Sequence, residues 1–150
     1  MIQDTITDNM ANAMLRQMGA TSIITKPAYI NIVKFDISEE LSITYLYELK
    51  ENEGIYLQRQ KPYPMYISEP ADENELVETI KADIDKFKDA LTSSNFSKFI
   101  VFAEKAAEVN KKMEELLLSP KNVETSDIDK VNADLDQIEA DVARTGSNAK

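Results

Sequence analysis

Apolar positions along the chain fall into two periods, and the change between them organises it. Ile6, Met10, Ala13, Met14 and Met18 recur at three- and four-residue steps, which predicts an amphipathic helix over residues 4–18. Asp4 or Thr7 suits its start, and Gly19 suits the position just past its end. Residues 20–28 read as a connector, because Lys26-Pro27 pushes the backbone toward extended geometry.

The period then drops to two. Tyr29–Ile37 is apolar on both faces, with Tyr29, Val33, Phe35 and Ile37 on one and Ile30 and Ile32 on the other, which predicts a central or two-sided strand. Leu41–Leu49 alternates more cleanly: Leu41, Ile43, Tyr45, Tyr47 and Leu49 share a face opposite Ser42, Thr44 and Glu48. Lys50–Gly54 reads as a hairpin turn, with Asn52 or Gly54 able to take positive φ, and Ile55–Gln60 as the return strand. Lys61-Pro62-Tyr63-Pro64 ends regular pairing in this reading, since proline donates nothing to a ladder. The simplest topology is an antiparallel meander of three strands.

From residue 68 the helical period returns. Asp72 with Glu75 has the spacing of a capping box. Val77, Ile80, Ile84, Phe87 and Leu91 follow at heptad steps. Ser93-Ser94-Asn95 breaks this helix and can cap a second. The second carries Phe99, Phe102, Ala106, Val109, Met113 and Leu116, with another apolar line through Phe96, Ile100, Ala103 and Ala107. That wide apolar girth makes it the expected centre of the helical layer, and Ser119-Pro120 stops it. Ser126 with Asp129 resembles another capping box before Ile128, Val131, Leu135, Ile138 and Val142, and Thr145–Lys150 reads as a frayed tail. The pattern therefore predicts an α+β protein: an N-terminal helix, a small three-stranded antiparallel sheet, then two to three long C-terminal helices packed as a hairpin or bundle. The composition divides it into a helix plus antiparallel meander, 1–67, and an acidic helical hairpin or bundle, 68–150, the two expected to form one compact unit together. A short phrase recurs, Ala82-Asp83-Ile84-Asp85-Lys86 against Ser126-Asp127-Ile128-Asp129-Lys130, and reads as convergence on an acid-flanked core isoleucine.

Composition then removes chemistry. The 150 residues contain no Cys, no His and no Trp. That excludes disulfides, thiolate nucleophiles, Cys or His metal ligation and imidazole acid–base catalysis. The three glycines, Gly19, Gly54 and Gly146, are too scattered for a phosphate-cradling loop. Neither D-x-D pair, Asp83/Asp85 or Asp127/Asp129, carries the glycine and glutamate spacing of a calcium loop, and residues two apart on a helix do not share a face. Both pairs read as solvated helix flanks. No two carboxylates stand out as an acid–base pair, so the expectation is a non-enzyme without cofactor or metal.

With 27 acids against 17 bases the net charge is −10, most of it after residue 67. That opposes direct binding to nucleic acid or anionic membrane. No apolar run reaches the ~20 residues that cross a bilayer, and the start lacks the pattern of a signal peptide. The expected location is cytoplasmic, or within a virion assembled there.

Three groups of residues offer interaction surfaces. On the sheet they are Tyr45, Tyr47, Tyr56, Tyr63 and Tyr66 with Arg59, side chains that combine apolar area with polar tips. On the first helix they are Met10, Met14 and Met18, a soft adaptable line. On the last helix they are Asp127, Asp134, Asp136, Glu139 and Asp141, an acidic face for a basic partner. In size, acidity and the pairing of a small sheet with helices, the chain resembles secretion chaperones and small phage proteins. The expected function is a non-enzymatic protein–protein interaction module, an assembly subunit or adaptor in a larger complex, with a second copy or another protein as partner. The alternatives are an acidic inhibitor that mimics nucleic acid and a secretion-type chaperone.

Overall fold

The computed structural model of the chain describes residues 6–119 and 123–148. The elements run α1 (Ile6–Gln17), β1 (Ala28–Asp36), β2 (Ser42–Lys50), β3 (Tyr56–Lys61), β4 (Met65–Ser68), α2 (Glu73–Leu91), α3 (Phe96–Leu117) and α4 (Thr125–Asn148). The α+β class and the segregation of strands from long C-terminal helices follow the pattern of the sequence. The chain forms two compact units divided between Phe96 and Ser97, so α2 belongs with the sheet rather than with the helices after it.

In the first unit the four strands form one antiparallel sheet in the order β1-β2-β3-β4. The sheet has one strand more than the pattern predicts. Pro62 and Pro64 sit in a tight turn rather than in a ladder, and the chain returns directly as β4. Asn52, at φ 58°, supplies the left-handed residue of the β2–β3 turn. β1, expected as a central or two-sided strand, is an edge strand.

The core lies between one sheet face and α2. Leu41, Ile43, Tyr45, Ile55 and Leu57 from the sheet meet Leu76, Ile80, Ile84 and Phe87 from the helix. Each such side chain contributes about 2 kcal/mol on leaving water. Leu76 occupies the place the heptad reading gave to Val77, which is 61% exposed. The predicted cap forms, with the Asp72 carboxylate accepting the Glu75 N–H at 2.8 Å; the Glu75 carboxylate reaches one residue beyond the box pattern and accepts the Ala71 N–H at 2.8 Å. At the other end of the unit, α1 closes as predicted on Gly19, at φ 103°. Ala20 N–H donates to Leu15 C=O and Gly19 N–H to Arg16 C=O, each at 3.0 Å, the paired bonds of a Schellman cap.

The second unit holds α3 and α4. α3 is not the centre of a helical layer: none of its side chains is buried, and Phe99, Phe102, Val109 and Leu116 stay 42–52% exposed. A helix buries an apolar line only where an apolar surface lies opposite it, as the sheet does for α2 within the first unit. A small apolar crevice of about 140 Å³ opens between α3 and α4, lined by Met113, Leu116, Leu117, Val123, Ile128, Val131 and Leu135 among others. α4 starts one residue before Ser126, with the Glu124 carbonyl accepting from Asp127 and Ile128. It runs through Thr145 to Asn148, where a frayed tail was expected. The predicted cap at Asp4, the stop at Pro120 and the last two residues of the predicted tail lie outside the described residues.

Candidate functional site

The sheet residues singled out by sequence divide between the two faces. Tyr45 and Arg59 are cross-strand neighbours on β2 and β3, and both face α2. Tyr45 is fully buried and Arg59 is 3% exposed, so neither can form part of a surface for a partner. α2 brings Asp83 down onto the pair. The Arg59 guanidinium donates through Nη1 to both Asp83 oxygens at 2.8 Å, and the Tyr45 hydroxyl donates to Oδ2 at 2.6 Å. Arg59 Nη2 lies 3.3 Å from Met65 Sδ. The guanidinium carbon stands 4.5 Å from the Tyr63 ring centroid and 4.8 Å from that of Phe87.

The cluster is a polar lock within an apolar layer. Burial, then the hydrogen bond to Asp83, push the Tyr45 phenol well above its ordinary range. The guanidinium is permanently charged and the carboxylate is engaged on both oxygens. The ion pair lies largely out of solvent, with the Arg59 side chain 3% and the Asp83 side chain 13% exposed. Its physical role is to fix how α2 sits across β2 and β3.

Asp83 was read as a solvated flank, and the structure corrects that. The signal lay in the sequence: Asp83 is seven residues after Leu76, three after Ile80 and four before Phe87, so it sits within the buried stripe. Arg59 likewise holds the core-facing parity of Ile55 and Leu57. Opposite charges on the inner faces of two elements mark a buried pair.

On the opposite sheet face the outward residues form ordered lines across the strands. Ile32, Leu46, Gln58 and Tyr66 are successive register partners, as are Ile30, Glu48 and Tyr56. Tyr56 and Tyr66 lie with ring centroids 5.6 Å apart. Ile30, Ile32 and Tyr66 are exposed, and Tyr56 and Leu46 are half-buried. Of the sheet tyrosines, Tyr56 and Tyr66 therefore stand on the open face. Tyr63 is half-buried against Phe87. Tyr47 is half-buried in an open groove of about 830 Å³ between β1 and α2, whose floor includes Val33, Phe35, Ile37, Ile80 and Ile84 and whose rim carries Lys81, Asp85 and Lys88.

On α1 the predicted line is open to solvent: Met10, Met14 and Met18 are all exposed, and so is Leu15. On α4, Asp127, Asp134, Asp136 and Glu139 are exposed and Asp141 is half-buried. Part of that acidity is paired along the helix. Lys130 donates to Asp134 at 2.6 Å, and Arg144 donates to Asp141 at 2.9 Å. The Asp134 hydrogen bond raises the Lys130 pKa.

Among the described residues no group of three or more acidic side chains is placed to hold a metal ion, and no helix is long and apolar enough to cross a membrane. No protein-family model, curated protein or solved structure matches the chain significantly.

Proposed function

We propose that this chain is a non-enzymatic protein–protein interaction module, an assembly subunit or adaptor within a larger complex. One observation carries the reading. The sheet-and-helix unit completes its own core and still leaves apolar rows in solvent, on α1 at Met10, Met14 and Met18 and on the sheet at Ile30, Ile32 and Tyr66. Exposed apolar rows of this kind are what a partner covers. The polar cluster most able to suggest catalysis, Tyr45–Arg59–Asp83, is sealed and supports a structural role.

The test is capture from nuclease-treated lysate of the native host, washed at low and then high salt. A partner in stoichiometric amount is expected to survive high salt and to be lost from Met10→Gln/Met14→Gln/Met18→Gln or from Ile30→Lys/Ile32→Lys, with folding unchanged by circular dichroism. Apolar contacts resist salt, whereas contacts through the acidic helix do not. Capture only of a basic nucleic-acid-binding protein, released by salt, would overturn the reading in favour of an acidic inhibitor.

A further inference from the structure

We propose that β1 is the docking edge for a second copy of this chain, pairing antiparallel with the partner's β1 to join two four-stranded sheets into one. The inference rests on the interaction-module reading and names the occupant of one of its surfaces.

The two edges of the sheet differ. β4 is four residues long, and its ladder with β3 contains a bulge. Short length and bulging are ordinary protection against edge-to-edge pairing. β1 is nine residues long and pairs with β2 in unbroken register from Ala28↔Lys50 to Asp36↔Ser42. It carries no proline, and among the described residues it pairs on one side only. Its pattern suits a strand covered on both faces, yet Tyr29 is 80% exposed, Ile30 61% and Ile32 66%.

The direction of its free backbone groups follows from the adjoining turn. Ile37 N–H donates to Leu41 C=O at 2.9 Å, one step beyond the Asp36↔Ser42 pair. Opposed residues alternate between bonded and non-bonded pairs in an antiparallel ladder. The odd residues of β1 therefore spend their N–H and C=O on β2. The even ones, Ala28, Ile30, Ile32, Lys34 and Asp36, aim theirs outward. Pro27 is odd, so the donor it lacks is not missed at this edge.

Charge and side-chain type select the register. A two-fold axis through Asn31 sets Ile30 opposite the second copy's Ile32, Tyr29 opposite its Val33, and Asp36 opposite its Lys26. Every outward N–H and C=O from Ala28 to Lys34 then meets a complementary group. An axis through Ile32 sets Lys34 against isoleucine and leaves Asp36 against alanine. An axis through Val33 sets both Ile30 and Ile32 against charged residues. Of these three registers the first alone sets both Ile30 and Ile32 against isoleucine; it places Lys34 opposite alanine, and its Asp36–Lys26 contact adds to the bonds that Asp36 makes with Lys34 and Ser42 and Lys26 with Glu53. It also brings Tyr29 over the β1 floor of the groove beside α2.

The chain's lack of cysteine makes a clean test. In this register Asn31 faces itself in a non-bonded pair, with Cα atoms about 4.5 Å apart, within reach of a disulfide. Lys34 is separated from its own copy by six residues of strand, about 20 Å. Full-length protein at ~50 µM is expected to sediment at twice 17.0 kDa. Asn31→Cys is expected to form a disulfide-linked dimer on mild oxidation, at least tenfold more than Lys34→Cys. Ile30→Lys/Ile32→Lys is expected to return the mass to that of the monomer with unchanged circular dichroism. A monomer at all concentrations overturns the proposal, as does equal crosslinking at both positions or a dimer that survives the double lysine variant. A monomer that still captures a stoichiometric partner in the lysate experiment removes self-pairing alone; one that captures none removes the wider reading as well.

Discussion

Arg59 and Asp83 meet within the core layer, one from β3 and one from α2, with a single guanidinium nitrogen 2.8 Å from both carboxylate oxygens. The contact joins residues 24 apart in sequence, and its geometry leaves Arg59 Nε buried without a partner among the described residues. An ion pair removed from water gains much of its attraction only by repaying desolvation, so its net worth is small while the loss of one member is costly. Asp83→Ala is therefore expected to destabilise the first unit by about 3 kcal/mol. The apolar replacement Tyr45→Phe/Arg59→Met/Asp83→Leu, which leaves no orphan, is expected to cost less than Asp83→Ala alone. Urea midpoints of the two variants check the order. A triple variant less stable than the single one would show that the pair contributes net stability.

The Tyr45 phenol gives this lock a pH limit. Its pKa is raised in the folded state, by burial first and then by donating to Asp83. A raised pKa means that the folded state holds the proton more tightly than the unfolded chain. The stabilisation is complete below the unfolded value of about 10 and declines as pH rises above it. Tyr45→Phe is expected to be less stable at pH 7, by about 1.5 kcal/mol for the lost bond to a charged acceptor. Above pH 10 its stability should fall less steeply than that of the wild type. Unfolding midpoints across pH 7–11 provide the comparison, and parallel curves would remove Tyr45 as the source of alkaline loss.

Much of the fold was legible because it depends on local period. Alternation located β1, β2 and β3 to within one or two residues, and the Asp72–Glu75 spacing located the start of α2. What escaped depended on tertiary neighbours. β4 follows two prolines, and only the turn geometry shows that they lie between ladders. That α2 buries its stripe while α3 buries no side chain is not written in either periodicity, since both carry heptad stripes. Of the candidate site, the methionines of α1 stand where their spacing put them, while Tyr45 and Arg59 turned inward with the core-facing parity they share with Leu57. That parity, and the place of Asp83 in the helix stripe, were the available clues to the buried pair.

The cap of α2 affects the whole first unit, because this helix covers the sheet. Asp72→Ala removes the acceptor for the Glu75 N–H and leaves a helix-end donor to water. The expected loss is about 1 kcal/mol, read as a lower urea midpoint at unchanged slope. Asp72→Ser, which keeps an acceptor, is expected to restore most of it. Equal losses in the two variants would show that the carboxylate charge near the helix N-terminus matters more than the hydrogen bond.

Stability should be unequal along the chain. Every side chain of the buried core cluster lies between Leu41 and Phe87, on the sheet and α2. α3 buries none, and the apolar line of α4 through Val131, Leu135, Ile138 and Val142 is 37–57% exposed. Helices of this length gain most of their stability from packing rather than propensity. Amide hydrogen exchange of the full chain is therefore expected to be slowest in β2, β3 and α2, where opening requires loss of the whole core. In α3 and α4 it should be at least a hundredfold faster, because no side chain of α3 and none of the α4 apolar line is buried. Residues 1–96 prepared alone should retain the slow amides and a cooperative urea transition. Protection in α3 equal to that in β2, or a residue 1–96 fragment that fails to fold, would mean that the second unit contributes to the core's stability.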